Sequence, residues 1–227
     1  MSSRHLSSKF WDVSGLFKCL TALFGSWLLC FGLINFLFLC LPSHGWCTST
    51  PMKSYEWMIE RVDATKLFYP LSNRSLRVDE QGHPHIVYGG DFLYYAWQDG
   101  AQWHTEKVDD SQGTGRYPSL ALDSAGNPHI AYYDGGERKL KYAVRTGRNW
   151  VFHVIDSGYD GMGYFAIAID RGDRPHIVYY DPHQHALKHA TWVDSTWEIE
   201  TIETAEGDGG VSIAFDVVGN MHVGYCK

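Results

Sequence analysis

One dodecapeptide is spelled four times in this chain, and no other feature constrains the fold as tightly. "DSAGNPHIAYYD" begins at Asp123 and "DRGDRPHIVYYD" at Asp170, with "DEQGHPHIVYGG" before them at Asp79 and "DVVGNMHVGYCK" after them at Asp216. The four aspartates are 44, 47 and 46 residues apart. A second series keeps the same step: Trp57, Trp103, Trp150 and Trp197 recur at intervals of 46, 47 and 47. Five residues after each Trp stands Val62, Val108, Ile155 or Ile202, followed by Asp63, Asp109, Asp156 or Glu203.

Each unit resolves into four short strands. In the second full unit, strand a is "SLALD" from Ser119 and ends in the turn residues "SAGN". Strand b is "PHIAYYD", whose Pro128 stands at the first strand position, where no ladder bond is lost. Strand c is "KLKYAVR", and after "TGRN" comes strand d, "WVFHVID". The links suit antiparallel hairpins. Apolar runs such as "HIVYY" imply strands covered on both faces. Four-stranded antiparallel sheets repeating every 40 to 50 residues are the pattern of β-propeller blades. The expected fold is therefore all-β: a propeller with a repeat of about 46 residues and about 3.5–4 blades. Its expected parts are a strand d at 57–63, full repeats at 75–118, 119–165 and 166–211, and a partial repeat at 212–227. That makes fifteen strands, one short of four closed blades, and the missing one is a c strand. The count reads as an incomplete ring, from a truncated product or a fragment.

The units resemble the sialidase-like, Asp-box-related propeller repeats of exported bacterial proteins, from about Trp57 to Cys226. An Asp-box is a Ser-x-Asp-x-Gly-x-x-Trp hairpin between strands c and d. Here "AWQDGAQW" keeps Gly100 and Trp103, and "AVRTGRNW" keeps Gly147 and Trp150. The Ser and Asp are absent from both, and "TWVDSTW" has lost the Gly as well. The resemblance implies a fold and not a particular member.

His85, His129, His176 and His222 all open strand b, six residues after the Asp that closes strand a. A catalytic group occurs once per ring, whereas a blade-building group occurs once per blade. The His is thus expected to meet its Asp across the hairpin end and to satisfy polar groups between blades. The alternative is one small ligand site per blade.

Binding residues concentrate in loops, and in this meander the b–c and d–a loops share one end of every blade. Those loops are "YYDGGERK", "YYDPHQHA", "VDDSQGTGRYP" and "IDSGYDGMGYF". The candidate ligand-binding residues are Asp110, Asp134, Asp160 and Asp181 with Tyr117, Tyr133, Tyr164 and Tyr180. Rings offer an apolar face to a pyranose and carboxylates accept from its hydroxyls. The competing reading packs Tyr133 and Tyr180 between blades and leaves the aspartates as turn residues. His183 and His185, which would share one side if they lay on a strand, form a candidate metal pair. Nothing in the sequence supplies the other ligands of a zinc site, and nothing calls for a cofactor.

The first fifty residues are different. Arg4, Lys9 and Lys18 precede a charge-free run from Cys19 to Pro42, about the ~20 residues of a membrane-spanning helix. Residues 1–46 are read as a signal peptide or an uncleaved signal-anchor, and 47–56 as a linker. Either reading puts the repeats outside the cytoplasm, secreted or held to the membrane by that segment. Only Cys47 and Cys226 lie beyond it, too few for a disulfide scaffold. The net charge of −7 leaves no basic footprint for nucleic acid.

The leading functional expectation is a non-catalytic, exported module that binds carbohydrate or another cell-surface ligand. A glycoside hydrolase related to sialidases is the second reading. The resemblance implies for it three arginines, a Tyr–Glu pair and an acid Asp, of which only Arg116 and Arg138 are placed in loops of the full repeats. A protein-interaction platform is the third.

Overall fold

The computed structural model describes residues 74–161, 163–204 and 210–226, together with positions 62, 72 and 206. The apolar N-terminal segment and the strand expected at Trp57 lie outside the described residues. All described residues belong to one compact unit, 56–227. Among them no helix is long and apolar enough to cross a membrane.

Among the described residues fourteen strands form three antiparallel four-stranded meanders and a two-stranded sheet. The first blade is β1 (Leu76–Val78), β2 (Pro84–Gly89), β3 (Leu93–Asp99) and β4 (Gln102–Asp109). The second is β5 (Arg116–Leu122), β6 (Pro128–Asp134), β7 (Lys139–Thr146) and β8 (Asn149–Ser157). The third is β9 (Phe165–Ile169), β10 (Pro175–Asp181), β11 (Ala186–Val193) and β12 (Thr196–Thr204). The fourth sheet contributes β13 (Val211–Phe215) and β14 (Met221–Tyr225). Every neighbour in every sheet is the next strand in sequence, as the repeat requires.

The apolar runs divide between two faces. In β10, Ile177 and Tyr179 enter a cluster with Tyr142 and Ile155 of the second blade. Val178 and Tyr180, one residue out of step, enter a cluster with Val211 and Val223 of the fourth sheet. In β6, Ile130 and Tyr132 pack with Val87 and Tyr95 of the first blade, while Ala131 and Tyr133 face the third. A period of two thus feeds two interfaces from one strand, which is why these strands read as continuously apolar. The first strands of the four sheets come together around a cleft of about 250 Å³, lined by Val78, Ala121, Leu122, Ile167 and Ile213. Successive sheets packed face to face with their first strands innermost are a propeller-like arrangement.

Local departures from the repeat have local causes. Strand a of the second blade begins at Arg116, three residues before the expected Ser119, because an irregularity at Tyr117 (φ 54°) lets the chain pair again with β6. The c–d turns of the first two blades carry Gly100 and Gly147 at φ 62° and 64°. The third blade lacks that glycine and instead puts Asp194 and Ser195 both at positive φ (46° and 68°). Positive φ at both central residues is the type I′ requirement, and Asp tolerates it. The hairpin survives the loss of the motif.

Candidate functional site

At one end of the blades, the repeated Asp and His build the a–b turns. The Oδ1 atom of Asp123 accepts from the backbone N–H of Ala125 (3.0 Å) and of Asn127 (2.7 Å). Asp79, Asp170 and Asp216 accept from the corresponding amides. Each Oδ2 faces the strand-b histidine: His85 at 3.4 Å, His129 at 3.5 Å, His176 at 3.4 Å and His222 at 3.2 Å. On the other ring nitrogen, His85 and His129 accept from the hydroxyls of Tyr95 (2.5 Å) and Tyr142 (2.6 Å) on strand c. Burial holds both imidazoles below their ordinary pKa, against the opposing pull of the Asp. Their ring nitrogens are consumed inside the blade, so the dodecapeptide His is a scaffold residue there. The third blade's turn puts Asp173, not glycine, at positive φ (59°). The Asp173 carboxylate uses that position to accept from the N–H (2.8 Å) and Oγ (2.6 Å) of Ser124 on the second blade.

At the opposite end the sequence candidates separate into two groups. Asp134 and Asp181 are buried, at 1% and 6% exposure. Asp134 caps the b–c turn through Gly136 N–H (3.0 Å) and Glu137 N–H (2.9 Å), and its Oδ2 lies 2.5 Å from the Lys141 ammonium. Asp181 repeats this with His183 N–H, Gln184 N–H and Lys188 (2.7 Å). Burial alone would raise both carboxyls, but the lysine and the turn amides outweigh it and hold them below the usual range. The same lysines reach toward Asp109 (3.9 Å) and Asp156 (3.7 Å) on the fourth strand of the preceding blade. Those two carboxylates accept from Tyr132 (2.7 Å) and Tyr179 (2.9 Å), and Glu203 accepts from Tyr225 in the same way. Tyr180 is also buried, among Ala166, Val178 and Leu187.

The second group gathers on the loop face of the second blade. Tyr133 donates its hydroxyl to Asp160 Oδ1 (3.1 Å), and Arg138 pairs with Asp160 Oδ2. The Arg138 side chain is 61% exposed. A side chain at Gly135 would crowd the Gly113 carbonyl at 3.3 Å and touch the Tyr133 ring and Arg116 Nε at 3.5 and 3.6 Å, so Gly135 lies directly against both groups. Asp160, Gly163 and Tyr164 share the β8–β9 loop. The Tyr117 ring rests on Gly163, where a Cβ would come within 2.4 Å of it. Tyr164 is exposed next to that contact. Tyr117 and Arg138 both sit at φ 54°, so backbone strain helps to present them.

Of the candidates the sequence singles out, Tyr133 and Asp160 share a hydrogen bond, Tyr117 lies against Gly163, and Tyr164 is exposed beside that glycine, while the Tyr133 ring is packed between blades as the competing reading has it. Asp110 is exposed on the β4–β5 loop, and no contact joins it to this cluster. Arg138 was legible only as a loop arginine; its positive φ and its pairing with Asp160 carried no sequence signal. His183 and His185 do not lie on a strand. They occupy the β10–β11 turn, with His185 at φ 47°, because Asp181 already caps that turn. Strand alternation therefore does not place them on one side. Among the described residues no group of three His, Cys, Asp or Glu side chains is placed to hold a metal ion.

The resulting surface sets a donor fork beside a carboxylate that also accepts from a buried phenol, with Tyr117 and Tyr164 on the same loop face. Paired donors and acceptors of this kind match adjacent hydroxyls, and ring faces match C–H surfaces.

No protein-family model matches the chain, and no curated protein matches its sequence. Among solved structures it is similar to a fucose lectin from Kordia zhangzhouensis in complex with methyl-fucoside. The TM-score is 0.42 at 20% identity, over 57% of this chain and 97% of the lectin.

Proposed function

We propose that the chain is an exported, propeller-like, non-catalytic binding module whose second blade takes a carbohydrate or a similarly hydroxyl-rich cell-surface ligand. The observation that carries this reading is the exposed Arg138 paired with the half-buried Asp160, to which the buried Tyr133 also donates, on the loop face that carries Tyr117 and the exposed Tyr164. Asp134 and Asp181 act beneath the face: they hold the b–c turns that present it, and ligand contact falls to the exposed group. The apolar run from Cys19 to Pro42, with its preceding basic residues, supports export.

Glycan-array binding by the full-length chain tests the reading, with Arg138→Ala and Tyr164→Ala as variants. Each variant should lose about tenfold or more in affinity, since a charged hydrogen bond or a stacking ring contributes on the order of 1–3 kcal/mol. Both should retain the wild-type melting temperature. A glycan bound equally by wild type and both variants would refute the assignment of the site. A chain that binds no glycan but captures a purified surface protein would move the reading to an interaction platform. The N-terminus of the exported protein, measured directly, decides between cleavage and anchoring.

A further inference from the structure

The third blade differs from the first two at one position, and the difference changes its proton count. Strand c carries Tyr95 in the first blade and Tyr142 in the second, each hydroxyl facing Nδ1 of the strand-b histidine. In the third blade His189 takes that place, and its Nε2 lies 2.9 Å from Nδ1 of His176. The two rings are nearly coplanar, 3° apart, with centroids at 5.1 Å. At the outer ends of the pair stand two acceptors: Asp170 Oδ2 at 3.4 Å from His176 Nε2, and Glu200 Oε1 at 2.9 Å from His189 Nδ1.

A tyrosine hydroxyl brings its own proton, but a histidine does not. Ionised carboxylates only accept, so His176 Nε2 and His189 Nδ1 must both carry hydrogens. Two neutral imidazoles have no further proton, and their remaining lone pairs would then face each other at 2.9 Å. The row of hydrogen bonds closes only when a third proton lies between the rings.

We propose that Asp170, His176, His189 and Glu200 form a built-in proton-binding site, which keeps the third blade firmly packed while it holds its proton and loosens that blade on deprotonation.

Burial, followed by the nearby His189 and Arg174 charges, disfavours a proton on His176 itself, although Asp170 pulls the other way. The geometry asks for a hydrogen on each outer nitrogen, toward Asp170 and Glu200, and one shared between His176 Nδ1 and His189 Nε2. Asp170 stays ionised. Burial works against its charge, but the amides of Arg174 and Gly172, the Arg174 guanidinium and His176 bring its pKa down to about 2. The groups facing the pair are thus Asp170 and Arg174 from the β9–β10 turn and Glu200 from β12. From the fourth sheet the Phe215 ring meets His176 at 5.0 Å and adds no charge. Losing the proton sets the two lone pairs against each other directly beneath that contact, so the packing of the third sheet on the fourth is what weakens.

The sign of the linkage follows. A proton that the folded pair binds between its rings, and that the unfolded rings bind less well, makes stability fall as pH rises through the titration of the pair. The first two blades have the opposite dependence, because their histidines are buried neutral.

His189→Tyr restores the side chain found at this position in the other two blades and is the direct test. In full-length protein melted between about pH 6 and pH 8, wild type should lose on the order of 3 °C per pH unit relative to His189→Tyr. Parallel pH profiles for the two proteins would overturn the proposal. Should the variant fail to fold, nitrogen NMR of wild type gives the answer alone. Near neutral pH, one imidazolium with a coupling between His176 Nδ1 and His189 Nε2 is the expected result. Two neutral rings without that coupling would refute the site.

Discussion

Replacing Asp134 by Asn tests whether the buried b–c carboxylates are scaffold or binding groups. The change keeps the shape and one acceptor, so the turn bonds from Gly136 and Glu137 can persist. It removes the negative charge 2.5 Å from Lys141 and sets an amide against the ammonium. Stripping one partner from a buried pair costs about 3–5 kcal/mol, because the surviving charge stays desolvated. Lys141 retains Glu137 at 3.4 Å and Asp109 at 3.9 Å, which offsets part of that loss. The expected destabilisation is therefore about 2–4 kcal/mol. Urea unfolding would read it as a lower midpoint with an unchanged slope. The double variant Asp134→Asn with Lys141→Met removes the stranded charge and should recover a large part of the loss. Binding by Asp134→Asn under folding conditions should stay near wild type. An unchanged midpoint, or two losses that simply add in the double variant, would refute the reasoning. So would lost binding at full stability, which would return Asp134 to the ligand.

Trp150→Ala should destabilise by about 3–5 kcal/mol, as expected for an aromatic that bridges two packed sheets. Its ring meets Tyr95 of the preceding blade edge-on at 5.7 Å, and its Nε1 donates to Glu106 at 3.1 Å. Trp150→Phe keeps an aromatic ring and should cost less, and equal thermal shifts for both would argue against ring packing as the source of the stability. With His129→Gln, the decline in unfolding midpoint below about pH 6.5 should become shallower, because a buried neutral His stabilises only while the unfolded ring is also unprotonated. An unaltered acid limb would count against that assignment. Gly163→Ala, at φ 98° and against Tyr117, should displace that ring and weaken glycan binding more than a distant control, Gly147→Ala. Equal effects of the two substitutions on binding would separate Tyr117 from the site.

The repeat made the sheets legible before any coordinates, because spacing and period two are properties of the chain alone. Strand order, the shared blade faces and the Asp–His contacts all followed from it. Three kinds of detail did not. The fate of Asp134 and Asp181 depended on Lys141 and Lys188, which lie on the adjacent strand and pair with them only through the register of β6–β7 and β10–β11. Loops favour Asp for capping as readily as for binding, so residue type could not separate these two from Asp160. The role of Arg138 depended on a backbone angle and on a partner twenty-two residues away. The repeat aligns His189 with Tyr142, but the proton count of the histidine pair depends on the 2.9 Å separation, which only the structure gives.

The carboxylate that ends each fourth strand reaches forward, and never back, to a tyrosine of the following sheet: Asp109 to Tyr132, Asp156 to Tyr179, Glu203 to Tyr225. The second and third blades thus each present the same plug on one side and the same socket on the other. A tandem copy of residues 110–156 inserted after Asp156 would offer Asp156 a second Tyr132 and leave every other joint as it was. Lengthening such a chain by whole units requires no new recognition chemistry at the seams. Cutting it out of phase, between Tyr132 and Asp156, would strand an unmatched half at both new boundaries. The molecule is in this respect a polar polymer of interchangeable links, and the step of 46 or 47 residues between its tryptophans is the length of one link.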